Sequence, residues 1–161
     1  MSWSRRGVIL AGLALAGCGF SPVYGPDGVG ARLFGQIRTA DPKTPDDFSF
    51  AGRIAERMGP DSDARFALDY RLRIAVVPQA ITPDEITTRY ALNGSADFVL
   101  TEQASGRVVT RGQVSSFTSY STTGTTIATM AAEQDAHERL ARMLADQVVT
   151  RLMAVDPASL P

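Results

Sequence analysis

The chain reads as an α+β domain: a small, mostly antiparallel sheet of about four strands with two helices on one face, in the order strand, helix, strand, strand, strand, helix. Three observations predict it. Apolar and polar residues alternate over Phe66–Val76 and again over Tyr90–Leu100, the period of a half-buried strand. Phe50, Ile54 and Met58 recur at helical spacing, as does a longer stripe between Ile127 and Leu152. Ala104-Ser105-Gly106 separates two strand-like runs and marks a hairpin turn.

Taken in order, Leu33–Arg38 is a short strand and Asp41-Pro42-Lys43-Thr44-Pro45 a turn. Asp46 fits the N-cap of the first helix, with Asp47 favourable in its first turn. Gly59-Pro60 stops that helix. In the next strand Leu68, Tyr70, Leu72, Ile74 and Val76 share a face, and Pro78 is expected to end it. Tyr90, Leu92, Gly94, Ala96, Phe98 and Leu100 form the apolar face of the second long strand, and Arg107 to about Tyr120 returns. A polar connection, Ser121–Thr126, leads to a helix from about Ile127 to Val155. Its stripe is Ile127, Met130, Ala131, Ala141, Leu144, Val148 and Leu152, reinforced by Leu140 and Met143. Asp135 with Arg139 and Glu138 with Arg142 are acid-before-base pairs on its wet side. No internal repeat is visible.

The first residues follow a different logic. Arg5 and Arg6 precede an apolar run, Gly7–Ala16, which ends in Leu15-Ala16-Gly17-Cys18. This is the layout of a secretory leader, and its ending resembles the lipobox of bacterial lipoproteins. Ten helical residues reach only about 15 Å, against about 30 Å of membrane core, so the run cannot span a bilayer. The expected organisation is a lipoprotein signal peptide over 1–17, a lipidated flexible tether over 18–32 and a single α+β domain over 33–161. The sulfur of Cys18 would carry fatty acyl chains of the palmitate type. Gly19, Pro22, Gly25, Pro26, Gly28 and Gly30 account for the tether. Ser4-Arg5-Arg6 is compatible with either general or twin-arginine export.

Composition narrows the function. The chain has 161 residues; without 1–17 it keeps 14 of its 16 basic residues and all 17 acidic ones, near −3. A nucleic-acid binder would present a clustered basic face, which is not found here. Cys18 is the sole cysteine and His137 the sole histidine, so a Cys- or His-based metal site is excluded, and no cofactor is implied. There is no phosphate loop and no HExxH motif. A Ser–His–Asp set could be written with His137 and the hydroxyls of Ser115–Thr126, but common residues always permit one. His137 reads as a helix-boundary residue, and no residue is taken as catalytic.

Several segments resemble one family. Cys18-Gly19-Phe20-Ser21-Pro22-Val23-Tyr24-Gly25, Tyr70-Arg71-Leu72, Arg89-Tyr90-Ala91-Leu92-Asn93-Gly94, Glu133–Leu140, Leu144–Val148 and Arg151-Leu152 are similar to the LptE family of lipopolysaccharide-assembly lipoproteins in its alphaproteobacterial form. The resemblance spans nearly the whole chain after Cys18. It implies a non-enzymatic outer-membrane lipoprotein that plugs and helps assemble the β-barrel LptD, the pair delivering lipopolysaccharide to the outer leaflet. Gly19 after the cysteine is compatible with outer-membrane sorting.

A lipopolysaccharide binder needs arginine near apolar surface, because guanidinium matches phosphate oxygens. Arg89, Arg107 and Arg111, at the ends of the middle strands, are the candidates, with Arg71 and Arg73 second. Two other readings compete: a stand-alone periplasmic lipid- or glycolipid-binding lipoprotein, which needs an apolar cavity between sheet and helices, and a lipid-anchored hydrolase that needs His137.

Overall fold

The computed structural model describes residues 25, 28–61, 63–81 and 87–160. Among them the order is α1 (Val29–Leu33), β1 (Ile37–Thr39), α2 (Pro45–Met58), β2 (Phe66–Ile81), β3 (Thr87–Glu102), β4 (Val108–Ser121), α3 (Thr126–Met153) and a closing 3-10 turn, Pro157–Ser159. The sheet runs β1-β2-β3-β4. β1 and β2 are parallel, joined through α2, and the other pairs are antiparallel. The α+β class and the element order are those expected from the sequence. The leader, Cys18 and most of the expected tether lie outside the described residues.

One face of the sheet is buried. Leu68 of β2, Leu92, Ala96, Phe98 and Leu100 of β3 and Val114 of β4 pack against Phe50, Ile54 and Met58 of α2 and Leu140, Leu144, Val148 and Leu152 of α3. The α3 helix packs tightly over Gly94: a Cβ there would lie 2.9 Å from a Leu140 methyl and 3.1 Å from one of Leu144. Phe50 and Tyr70 rings meet at 4.6 Å, and Tyr90 stacks on Tyr120 at 5.5 Å across the β3–β4 pair.

Five local expectations are corrected. Residues 29–32, expected as the end of a flexible tether, form a helical turn together with Leu33, and Val29 and Leu33 are buried. The side chain of Arg32 holds it to the other terminus, donating to the Pro157 and Leu160 carbonyls at 2.8 and 3.0 Å. One turn is too short to register as periodicity. The first strand starts at Ile37 rather than Leu33, because Gly35 takes a positive φ of 71° and turns the chain.

The N-cap of α2 is Thr44, not Asp46. Its hydroxyl accepts from the Asp47 N–H at 3.2 Å, the Asp47 carboxylate accepts from the Thr44 N–H at 3.0 Å, and Pro45 takes the first helical position, where no N–H is needed. Pro78 does not end β2; it remains paired with Tyr90, and the register shifts just after it. β2 has no strand on its other side at that point among the described residues, so a missing N–H is tolerated there.

The stripe of α3 is buried only from Ala136 onward. Ile127 and Met130 are 82% and 65% exposed. Periodicity identifies the face a helix can bury, not how far its neighbours extend beneath it.

Candidate functional site

Among the described residues, no helix covers the sheet face opposite α2 and α3. Asp69, Arg71, Arg73, Ala75 and Val77 of β2 project from it, then Asn93, Ser95, Asp97 and Val99 of β3, and Arg111, Gln113, Ser115, Phe117 and Ser119 of β4. The polar alternation of each strand puts these residues there. Arg73 pairs with Asp97, and the Gln113 amide donates to the same carboxylate at 2.7 Å. This three-strand ladder ties the middle of the face together. Phe117, 73% exposed, stands among Ala75, Asn93 and Ser119 as an apolar island.

The three candidate arginines are not brought together. Arg89 opposes Ser121 at one end of the sheet, and Arg111 opposes Val99 ten positions away along β3, about 33 Å. Arg89 lines an open pocket of about 390 Å³ with Gln79, Thr88, Ser121 and Thr123. Arg107 leaves the β3–β4 turn and lies 3.7 Å from Glu102, whose carboxylate also accepts from Ser105. Arg111 lines a second open pocket, about 300 Å³, with Phe98, Val155 and Arg151. Neither Arg111 nor Arg151 has an ion pair among the described residues, so two guanidiniums border one apolar-floored hollow. Gly112 makes the floor: a Cβ there would touch the Phe98 ring at 3.1 Å. Nothing in the sequence marks Arg151 for this role: it lies in the last turn of α3, where a basic residue is ordinary.

His137 is placed at the α2–α3 contact, its Nδ1 at 3.1 and 3.2 Å from the Asp46 carboxylate oxygens. It therefore joins two helices rather than acting beside the neighbouring Asp135, which pairs with Arg139. The most perturbed group is Tyr70, pushed up to about 12, first by burial and then by Asp47 and Asp41. Its hydroxyl is buried beside Phe50 and has no hydrogen-bond partner among the described residues. Tyr120 is raised as well, by burial and then by Glu133. Among the described residues no group of His, Cys, Asp and Glu could hold a metal, and no helix is long and apolar enough to cross a membrane.

The fold, a sheet with helices packed on one face, is similar to those of solved bacterial lipoproteins. A candidate lipoprotein from Caulobacter crescentus superposes with a TM-score of 0.62 at 21% identity, over 78% of this chain and 92% of that one. Rare lipoprotein B from Shewanella oneidensis gives 0.55 at 12% identity, over 73% and 91%. Lipoprotein B from Nitrosomonas europaea gives 0.53 at 9%, over 74% and 81%. At these identities the likeness is one of fold. No curated protein matches the chain in sequence. The profile of the family LptE, lipopolysaccharide-assembly, matches residues 32–152. The chain belongs to that family.

Proposed function

We propose that this protein is an outer-membrane lipoprotein that pairs with and plugs the β-barrel LptD, so that lipopolysaccharide is assembled into the outer leaflet. The observation that carries the reading is the family match across residues 32–152. Residues 1–17 direct export and are removed, and Cys18 is lipidated. The segment after it tethers a body that enters its core at Val29. Sequence supports the first two steps: the Arg5-Arg6 pair, the short apolar run and the small residues before Cys18.

The bare face of the sheet suits a partner wall. It is polar and cross-braced by Arg73, Asp97 and Gln113. Arg89 at one end and Arg111 with Arg151 at the other are the proposed contacts for lipopolysaccharide phosphates, while Arg107 is already engaged by Glu102. The stand-alone carrier reading needs space for acyl chains between the layers, but Leu92, Ala96, Leu140, Leu144 and Val148 fill that region with no exposure.

The test is affinity purification of the tagged, mature protein from its own outer membranes. Stoichiometric recovery of one large barrel identified as LptD is expected. Recovery of the protein alone from gently solubilised membranes overturns the pairing.

A further inference from the structure

We propose that the open edge of β2, Tyr70–Val76, is a strand-addition site for an extended segment of the barrel partner, with apolar side chains toward the helix layer and an acidic side chain opposite Arg71. The inference rests on the barrel pairing proposed above. β1 covers only Phe66–Leu68. The Phe66 N–H donates to the Gln36 carbonyl and the Leu68 carbonyl accepts from the Ala40 N–H, both at 2.9 Å. Even-numbered residues of β2 therefore aim their main-chain groups toward that side. Past Leu68, among the described residues, no strand meets the N–H and C=O groups of Leu72, Ile74 and Val76.

The same residues supply an apolar strip. Leu72 and Ile74 are only half-buried at the helix-side face and Val76 is 45% exposed. An added strand would satisfy the backbone and cover this strip in one step.

The two edges of the sheet are treated differently, and this contrast distinguishes a pairing edge from a merely exposed one. In β4 the even-numbered residues bond across to β3, as Thr122 does to Thr88, so the odd-numbered ones point outward. Two of those outward carbonyls are capped from α3: Gln147 donates to Ser115 at 3.1 Å and Arg139 to Ser119 at 3.4 Å. β2 has no such guard over 72–76 among the described residues, and no lysine on that edge.

The chemistry of the occupant follows. Along the bare face of β2, Arg73 is paired with Asp97, whereas Arg71 has no ion pair among the described residues. Two-fold self-pairing centred on any residue from 71 to 73 sets arginine against arginine, which disfavours a second copy of this chain. The transmembrane strands of a closed barrel have no free edge, so the added strand comes from a loop or soluble part of the partner.

Amide hydrogen exchange on the mature lipoprotein, alone and purified with its barrel, tests the proposal. Leu72, Ile74 and Val76 are expected to exchange about tenfold or more slowly in the complex than alone. Co-purification with equal exchange in both samples overturns the edge and leaves the pairing standing. Absence of the barrel from the purified sample overturns the pairing, and with it this inference. Protection that grows with the concentration of the isolated protein means self-association and also overturns it. Val76→Pro, which removes one outward N–H at an exposed position, is expected to reduce barrel recovery several-fold with the melting temperature little changed. Full recovery with a folded Val76→Pro contradicts the proposal, and if that variant does not fold, the exchange comparison on the native chain decides.

Discussion

Arg53 on α2 grips Asp146 on α3 at two points, Nε to Oδ1 at 3.0 Å and Nη2 to Oδ2 at 3.1 Å, and Arg57 one turn later adds a contact of 2.7 Å. One carboxylate thus fixes the angle between the two helices that cover the sheet. Bidentate geometry is where an arginine pair rises above the usual surface value. Asp146→Ala is expected to lower the urea midpoint slightly, with the slope unchanged. A double-mutant cycle with Arg53→Ala is expected to return a clear favourable coupling, and zero coupling would contradict the clamp.

Gly94 and Gly52 are expected to respond in opposite directions. At Gly94 a methyl group meets Leu140 and Leu144 at 2.9–3.1 Å, so Gly94→Ala lifts α3 from the sheet. The expected cost is about 1–3 kcal/mol, from overpacking rather than backbone strain. Gly52 is exposed within α2, with nothing near its Cβ position. Gly52→Ala is expected to gain about 0.5–1 kcal/mol from backbone entropy. Thermal unfolding of the pair checks both signs.

Tyr70 introduces an alkaline liability. Its folded pKa stands at about 12 against an ordinary 10, so between those values the unfolded chain loses the proton first. The unfolded state then binds fewer protons, and stability falls as pH rises through this window. Tyr70→Phe is expected to flatten that part of the stability–pH curve. Because the hydroxyl has no partner among the described residues, the same variant is expected to keep or raise stability at neutral pH. An unchanged slope in denaturant titrations between pH 10 and 12 would count against the burial of that hydroxyl.

The legibility of the chain varied with the length of each signal. Phe50, Ile54 and Met58 announced α2, and all three are in the core. The hairpin at Ala104-Ser105-Gly106 was readable because Gly106 adopts the positive φ its position demands, 70°. The long alternations fixed β2 and β3 and their inner faces. What escaped depends on contacts distant in sequence. Val29 and Leu33 are buried because Arg32 reaches Pro157 and Leu160, over a hundred residues away. Pro78 reads as a strand end in the sequence, and its tolerance within β2 depends on that strand having no neighbour on its outer side among the described residues. For the candidate site, strand alternation places Arg71 and Arg73 on one face of β2, whereas the place of Arg111 on that same face follows only from the register of β4, whose own alternation is poor. Neither the union of Arg111 with Arg151 nor the 33 Å separation from Arg89 could be read without the register.

Cys18→Ser is expected to leave an unlipidated protein that retains residues 1–17, since lipidation precedes removal of the leader. Intact-mass measurement and membrane fractionation check both points. A membrane-bound variant of mature mass would mean that the sulfur of Cys18 is not the anchor.

The most direct measurement of the account is the folded state of LptD in cells depleted of this protein, followed together with the lipopolysaccharide reaching the cell surface. A plug and assembly partner predicts that the barrel accumulates misassembled and that surface lipopolysaccharide falls with it. Correctly assembled barrel and undiminished surface lipopolysaccharide in depleted cells would contradict the account.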